Sequence, residues 1–292
     1  MIIVDEAKCL ACGSCVEICH EHCMTLIDGT VSIDYGYCST CTQCIAVCPE
    51  QALSWNHVPP VAYDETRLPS PEQLNELFKE RRSIRFYEDR KIDRMLLEEI
   101  IGYGIYAPTQ NFKLRAIVVD DEEIIQAFDR VVLKYVSRIY NVFCKPKIMS
   151  DLARMIGRSP DHLQAKPKLE AALERGYASH HPAAIVFIVG DRRKVLSEPS
   201  AQFVLYNMIL YAQTKGIGSC LWANGPMFLD KNKAAKKHLS LHNHERIFGA
   251  LLLGYPAVSF RNKVQGKRLS IQWNDGIAPD PSTITSGNPS ST

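Results

Sequence analysis

The stretch "CLACGSCVEICHEHCMTL" occupies residues 9–26, and "CSTCTQCIAVCPEQAL" occupies residues 38–53. Each sets three cysteines two residues apart and a fourth three residues further on: Cys9, Cys12, Cys15 and Cys19, then Cys38, Cys41, Cys44 and Cys48, followed by Pro49. This is an internal duplication. Equally spaced cysteines in a tight loop can wrap three corners of an iron–sulfur cubane, with a distant fourth completing it. Paired zinc sites are the rival reading, but zinc knuckles use C-x-x-C pairs, two per metal, and an equally spaced triplet fits them poorly.

The C-x2-C-x2-C-x3-C-P run resembles that of two-cluster bacterial ferredoxins, in which the fourth cysteine serves the other cluster. The resemblance implies that Cys9, Cys12, Cys15 and Cys48 hold one 4Fe-4S cluster, and Cys38, Cys41, Cys44 and Cys19 a second. His20 stands where the first run would carry proline, which alters hydrogen bonding near the second cluster but removes no ligand. Cys23 falls at a position that is small and apolar in that pattern, and reads as a buried structural thiol.

The cysteine runs fill only the first fifth of 292 residues, a length that accommodates about two domains. With 46% hydrophobic and 23% charged residues the chain reads as globular, and a net charge of +2 gives no reason to expect nucleic acid or an anionic membrane. No apolar run approaches the ~20 residues that cross a bilayer. The start "MIIVDEAK" turns acidic at its fifth residue, unlike a secretory signal. The expected location is cytoplasmic, where eleven cysteines argue for metal ligation rather than disulfides. The lysines of "KNKAAKKH", 231–238, read as a solvated helix face.

Residues 1–57 are expected to form the cluster domain. "WNHVPPVAYDETRLP", 55–69, has proline pairs and no period, so 58–69 reads as a linker. Ser70, Pro71 and Gln73 carry the signature of a capped helix N-terminus, followed by Leu74, Leu77 and Phe78 at helical spacing. A second domain is expected over 70–275. The tail 276–292 has almost no apolar content and reads as disordered or loosely draped.

"KERRSIRFYEDRKIDRMLLEEIIGYGIYAPTQNFKLRAIVVDD", 79–121, resembles the opening of the FMN-dependent nitroreductase family. There an R-x-S-x-R/K element precedes a helix, an A-P-[ST] loop with an asparagine, and a strand. Alone, "RRSIR" would read as a solvated basic turn; its distance from "APTQN" decides otherwise. A flavin phosphate is a dianion that arginine forks and a serine hydroxyl match. The resemblance puts Arg81, Ser83 and Arg85 on the phosphate side, Arg82 on the isoalloxazine side, and Pro108, Thr109 and Asn111 in the flavin loop. "AQFVLYNMILYAQTKGIGSCLWANGPM", 201–227, resembles the central helix, the G-[IL]-G-[ST] turn and the loop under the flavin. That loop falls on Leu221 to Gly225, with Asn224 and Gly225 foremost. "FGALLLGYPAVSFRNKVQGKRLSIQW", 248–273, resembles the last strand, the G-Y-P turn and a basic return to the phosphate, matched best by Lys267 and Arg268 and less well by Arg261 and Lys263.

One departure stands out. The family commonly reads N-x-Q-P-W after the A-P-[ST] loop, whereas Asn111 is followed here by Phe112, Lys113, Leu114 and Arg115. The two cations read either as charges near the flavin edge or as a solvated strand end. "GYGIYA", 102–107, matches a dinucleotide fingerprint but follows a helix and opens none, so the dinucleotide context is absent. His180 and His181 read as a surface turn, and Cys144 and Cys220 as packing thiols.

The fold class implied is α+β, a small ferredoxin-like domain fused to a nitroreductase-like domain with a mixed sheet and flanking helices. Clusters move single electrons and flavin handles one or two, so two 4Fe-4S clusters ending at FMN would reduce a small-molecule electron acceptor such as a nitro compound, quinone or enone. Flow from NAD(P)H as transient donor toward a ferredoxin or other redox protein uses the same parts. A homodimer is implied by the family. The alternative is an iron–sulfur electron shuttle or redox sensor whose second domain does not bind flavin.

Overall fold

The computed structural model describes residues 1–109, 113–144, 161–264 and 269–273. Backbone contacts divide the chain into Met1–Phe260 and Arg261–Thr292. In the second unit the described residues form no helix or strand.

The cysteine-bearing segment contains β1 (Ile2–Val4), α1 (Ser14–Glu17), β2 (Met24–Ile27), β3 (Thr30–Ile33), α2 (Gln43–Val47) and β4 (Leu53–Trp55). The pairing is crosswise: β1 runs antiparallel to β4, and β2 to β3. Each half thus completes the other's ribbon. Helices of four or five residues have no stability alone, and these are held by a shared core of Ile2, Met24, Val31 and Leu53 with Cys15 and Cys44. Between this segment and residue 70 the only regular element is a turn at Glu65–Arg67, capped by Asp64.

Next comes α3 (Pro71–Glu80), whose start is the capping box its sequence announces. Gln73 N donates to Ser70 Oγ at 3.3 Å, and Ser70 N donates to Gln73 Oε1 at 2.9 Å. Asp93 caps α4 (Arg94–Gly102), and "GYGIYA" winds into a 3-10 turn at Tyr103–Tyr106 directly after it. That motif opens no helix after a strand, as expected.

The main sheet comprises β5 (Arg115–Val119), β6 (Ala184–Asp191), β7 (Gly218–Leu221) and β8 (Glu245–Gly254), in the order β5-β6-β8-β7. All three ladders are antiparallel; among the described residues the parallel component is one isolated bridge, Ser83 to Ser219. Strands β6 and β8 are buried on both faces, which is why both read as continuous apolar runs. Val186, Ile188, Leu251 and Leu253 face α4 and α7 (Ser197–Thr214). Ile185, Phe187, Ala250 and Leu252 face α5 (Glu122–Ile139) and α8 (Asn224–Leu229). The sheet is therefore the middle of three layers. Two further helices, α6 (Asp161–Arg175) and α9 (Lys233–His238), and a π-helical turn at Tyr140–Cys144 complete the described elements. A bulge in β8 opposite Ile188 and Val189 leaves Phe248 unpaired, and its carbonyl accepts from Gln202 Nε2 at 3.1 Å. Among the described residues no helix is long and apolar enough to cross a membrane.

Candidate functional site

The duplication read in the sequence is also a duplication of backbone conformation, repeated at an offset of 29 residues (Cys9 to Cys38, Cys19 to Cys48). Ala11 and Thr40 have φ of 54° and 57°, and Gly13 and Thr42 have 83° and 62°. Ala7 N donates to Asp5 Oδ1 at 3.1 Å, and Gly36 N to Asp34 Oδ1 at 2.9 Å. His22 N donates to Cys19 O at 3.0 Å, and Gln51 N to Cys48 O at 3.2 Å. Left-handed residues alternating with ordinary ones turn successive N–H groups into one concavity, the nest that cradles anions and sulfur clusters. Three non-glycine residues in that conformation are a strain the segment accepts in both halves.

The structure brings the cysteines together in two groups. Cys9, Cys12, Cys15 and Cys48 line one cavity with Val31, Pro49 and Leu53. Cys19, Cys38, Cys41 and Cys44 line another with Cys23, Ile2 and Met24. Crosswise strand pairing is the cause, because it carries the end of each run to the start of the other. Burial pushes Cys44 up to about 11, and burial also raises Cys15. Such thiols stay protonated at neutral pH unless a cationic centre compensates the thiolate. Cys23 is buried, with its sulfur 3.4 Å from Cys19 Sγ, and burial together with that contact pushes it up to about 12. Ala52 N donates to Cys48 Sγ at 3.3 Å. His20 contacts only its neighbour's carboxylate, Glu21, at 3.2 Å among the ion pairs described. Among the described residues no three His, Cys, Asp or Glu side chains form a group that could hold a metal ion.

The second set of candidates gathers at the β7 edge of the main sheet. Arg81 is the C-cap of α3, and Arg82 Nη1 donates to Lys79 O at 2.7 Å and to Arg81 O at 2.8 Å, closing the end of that helix. Ser83 bridges Ser219, Ile84 N donates to Ser219 O at 2.9 Å, and Glu88 N donates to Tyr255 O at 2.8 Å. The segment therefore runs along β7 into the G-Y-P turn. Arg85 is exposed, and its charge with the Ser83 hydroxyl acts against the upward push of burial on the Cys220 thiol.

Leu221 and Asn224 are exposed, while Gly225 is buried. A Cβ on Gly225 would meet Trp222 Cδ2 and Cε3 at 2.3 Å, so only glycine fits against that ring. Trp222 N donates to Ala250 O at 2.9 Å, which ties the loop to β8. Among the described residues two buried side-chain atoms find no partner: Thr109 Oγ1, beside exposed Pro108, and Trp222 Nε1. Both belong to loops that the sequence puts at the flavin. Buried orphan donors are rare in native proteins, and an absent polar ligand is one cause. Trp222 escapes sequence reasoning because no spacing marks it; its proximity to Gly225 is the usable signal. Asn111, Lys267 and Arg268 lie outside the described residues.

The cations after the A-P-T loop have different fates. Arg115 is bound across the sheet to Glu245, which engages its guanidinium. Lys113 lines a groove with Lys194 and Ser197. The His180 and His181 turn is held more firmly than a surface turn requires. Both have left-handed backbone, φ 64° and 52°, and the preceding residues are pinned by buried Asp129, which accepts from Ala178 N, Ser179 N and Ser179 Oγ at 2.9, 2.7 and 2.7 Å. Cys220 is buried, as a packing thiol should be.

The model of the "Nitroreductase family" matches residues 78–255. The chain belongs to the nitroreductase family. This span opens at Phe78 and ends at Tyr255 of the G-Y-P turn, enclosing every main-sheet strand of this nitroreductase-family chain. An FMN-bound nitroreductase from Desulfitobacterium hafniense DCB-2 is 16% identical with a TM-score of 0.50, over 68% of this chain and 97% of that one. An FMN-dependent nitroreductase from Clostridium difficile R20291 is 15% identical with a TM-score of 0.50, over 69% of this chain and 99% of that one. Both show a shared fold. No curated protein matches.

Proposed function

We propose that this chain is an iron–sulfur flavoprotein oxidoreductase that passes electrons between two 4Fe-4S clusters and FMN to reduce a small organic acceptor. The observation that carries the reading is the sorting of eight cysteines into two cavities, with Cys48 beside the first run and Cys19 beside the second. Supporting the flavin are family membership, the FMN named in the solved structures of the same fold, and the orphan donors Thr109 Oγ1 and Trp222 Nε1.

The clusters supply single-electron transfer, and FMN converts single electrons into a two-electron reduction. The chain's own residues hold, orient and shield. Cys9, Cys12, Cys15 and Cys48 would hold one cluster, and Cys38, Cys41, Cys44 and Cys19 the other, with the alternating left-handed residues supplying a nest of N–H groups. Half-buried Ser83 and exposed Arg85, which run along β7, would hold the flavin with Arg81, and Thr109 and Trp222 would offer it buried donors. Gly225 lets the backbone of the loop beneath approach. The protein acts as a homodimer in the cytoplasm, with either NAD(P)H or a redox protein at the other end of the chain of centres.

Quantifying iron, sulfide and acid-released FMN in anaerobically purified protein tests this reading. About eight iron and one FMN per chain is the expected result. Full iron without flavin would leave an electron shuttle or redox sensor instead.

A further inference from the structure

The two halves of the cysteine-bearing segment repeat each other at an offset of 29 residues, so a difference between them stands out. Cys23 falls opposite Ala52. Ala52 gives Cys48 Sγ its backbone N–H at 3.3 Å and has no side-chain donor to add. Cys23 brings a thiol to the corresponding sulfur of the other half, its Sγ lying 3.4 Å from Cys19 Sγ. The second cavity therefore gathers five thiols, those of Cys19, Cys23, Cys38, Cys41 and Cys44, where a 4Fe-4S cluster takes four. Cys23 is 5% exposed and packs in one apolar cluster with Ile2, Met24 and Val31. A thiol in such surroundings keeps its proton, whereas a sulfur bound to iron has none, so the donor in the Cys19–Cys23 contact would be Cys23. Cys38, which also bears on the Cys23 thiol, is a sulfur of the same cavity, and either acceptor directs the proton to the same centre. The first cavity has a side-chain partner of its own, Ser14 Oγ at 3.5 Å from Cys12 Sγ, but Cys12 is exposed and water competes for its sulfur.

We propose that Cys23 is a positioning residue for the second cluster, its S–H donating to the Cys19 sulfur and raising that cluster's reduction potential. Hydrogen bonds to ligand sulfurs draw charge off a cluster and favour its reduced, more negative form. Inside a buried cavity the donation meets no competition from water. With alanine in the matching place of the other half, the extra thiol makes two duplicated centres unequal and biases an electron toward the second. This role rests on the proposed cluster reading and extends it, because the cysteine motif alone makes the two centres alike.

Potentiometric titration of the full, anaerobically purified chain, followed by electron paramagnetic resonance of the reduced clusters, tests the role, with iron measured on the same samples. In Cys23→Ala one of the two cluster couples should fall, its ratio of reduced to oxidised form dropping about tenfold at a fixed applied potential, which is about 59 mV for a one-electron couple. The other couple should stay in place. Cys23→Ser keeps a donor in nearly the same volume and should hold the couple close to its original position. A role in packing alone would move the two variants alike. Unchanged couples in Cys23→Ala at full iron overturn the proposal, and so does an equal shift in both variants. Loss of about four iron from a Cys23 variant that melts normally makes this thiol a ligand and overturns the proposal as well. If thermal melting shows Cys23→Ala misfolded, Cys23→Val, which fills the space without a donor, carries the same test. An unaltered chain without iron overturns the cluster reading and this role with it, so the iron measurement separates that failure from failure of the role alone.

Discussion

The guanidinium of Arg115 grips the carboxylate of Glu245 from a neighbouring part of the sheet, Nε to Oε1 at 2.9 Å and Nη2 to Oε2 at 2.8 Å. His242 N donates to the same carboxylate at 2.9 Å, and Arg115 also reaches Ser240 O at 2.9 Å. The pair thereby joins the start of β5 to the turn that opens β8.

Arg115's hydrogen bonds lower the Glu245 carboxyl from an ordinary 4.5 to about 2. A folded value below the unfolded one means that Glu245 stabilises the fold above about 4.5, and that this contribution disappears as pH falls toward about 2. Glu245→Gln should cost about 2 kcal/mol at neutral pH, since it weakens a largely buried partner of Arg115. Denaturant midpoints from pH 7 to pH 2 check this: the variant should show a shallower acid limb. An identical pH profile would remove Glu245 from the account.

Asp129 is buried and accepts three hydrogen bonds that fix the turn before His180. Asp129→Ala leaves those donors unsatisfied and opens a small void, which should cost about 3 kcal/mol. Hydrogen exchange at Ala178 and Ser179 reads the local effect. Their amides should lose protection before the β6 core does, and unchanged protection would show that the turn holds itself.

Gly225→Ala pushes a methyl group into the Trp222 ring, with approaches of 2.3 Å that only a displaced indole relieves. The expected outcome is a changed near-ultraviolet tryptophan signal and a loss of retained FMN, while the strand core stays folded. Retention of full FMN with a moved Trp222 would detach this ring from the flavin site.

Cys48→Ser and Cys19→Ser each remove one lining sulfur from a different cavity, whereas Cys23 is the extra thiol of the second. Each of the first two should lower iron from about eight to about four per chain, as loss of one of two four-iron clusters requires. Cys23→Ala should keep the full amount. A Cys23 variant that loses half its iron would make this thiol a ligand in place of Cys19.

By itself the sequence determined what depends on neighbours along the chain. The spacing of the cysteines, the capping box at Ser70, the apolar runs of β6 and β8 and the R-x-S-x-R and A-P-T elements are local patterns, because turns, caps and strand burial are set by residues a few positions apart. Only tertiary structure decided what depends on distant partners. Crosswise pairing of β1 with β4 and β2 with β3 determines which cysteines share a cavity. Arg115 could as well have faced a ligand until β8 brought Glu245 beside it. Trp222 became part of the candidate site because Gly225 lacks a side chain to hold it away. Such choices are made by long-range contacts, whose partners are separated by scores of residues and leave no periodic trace in the chain.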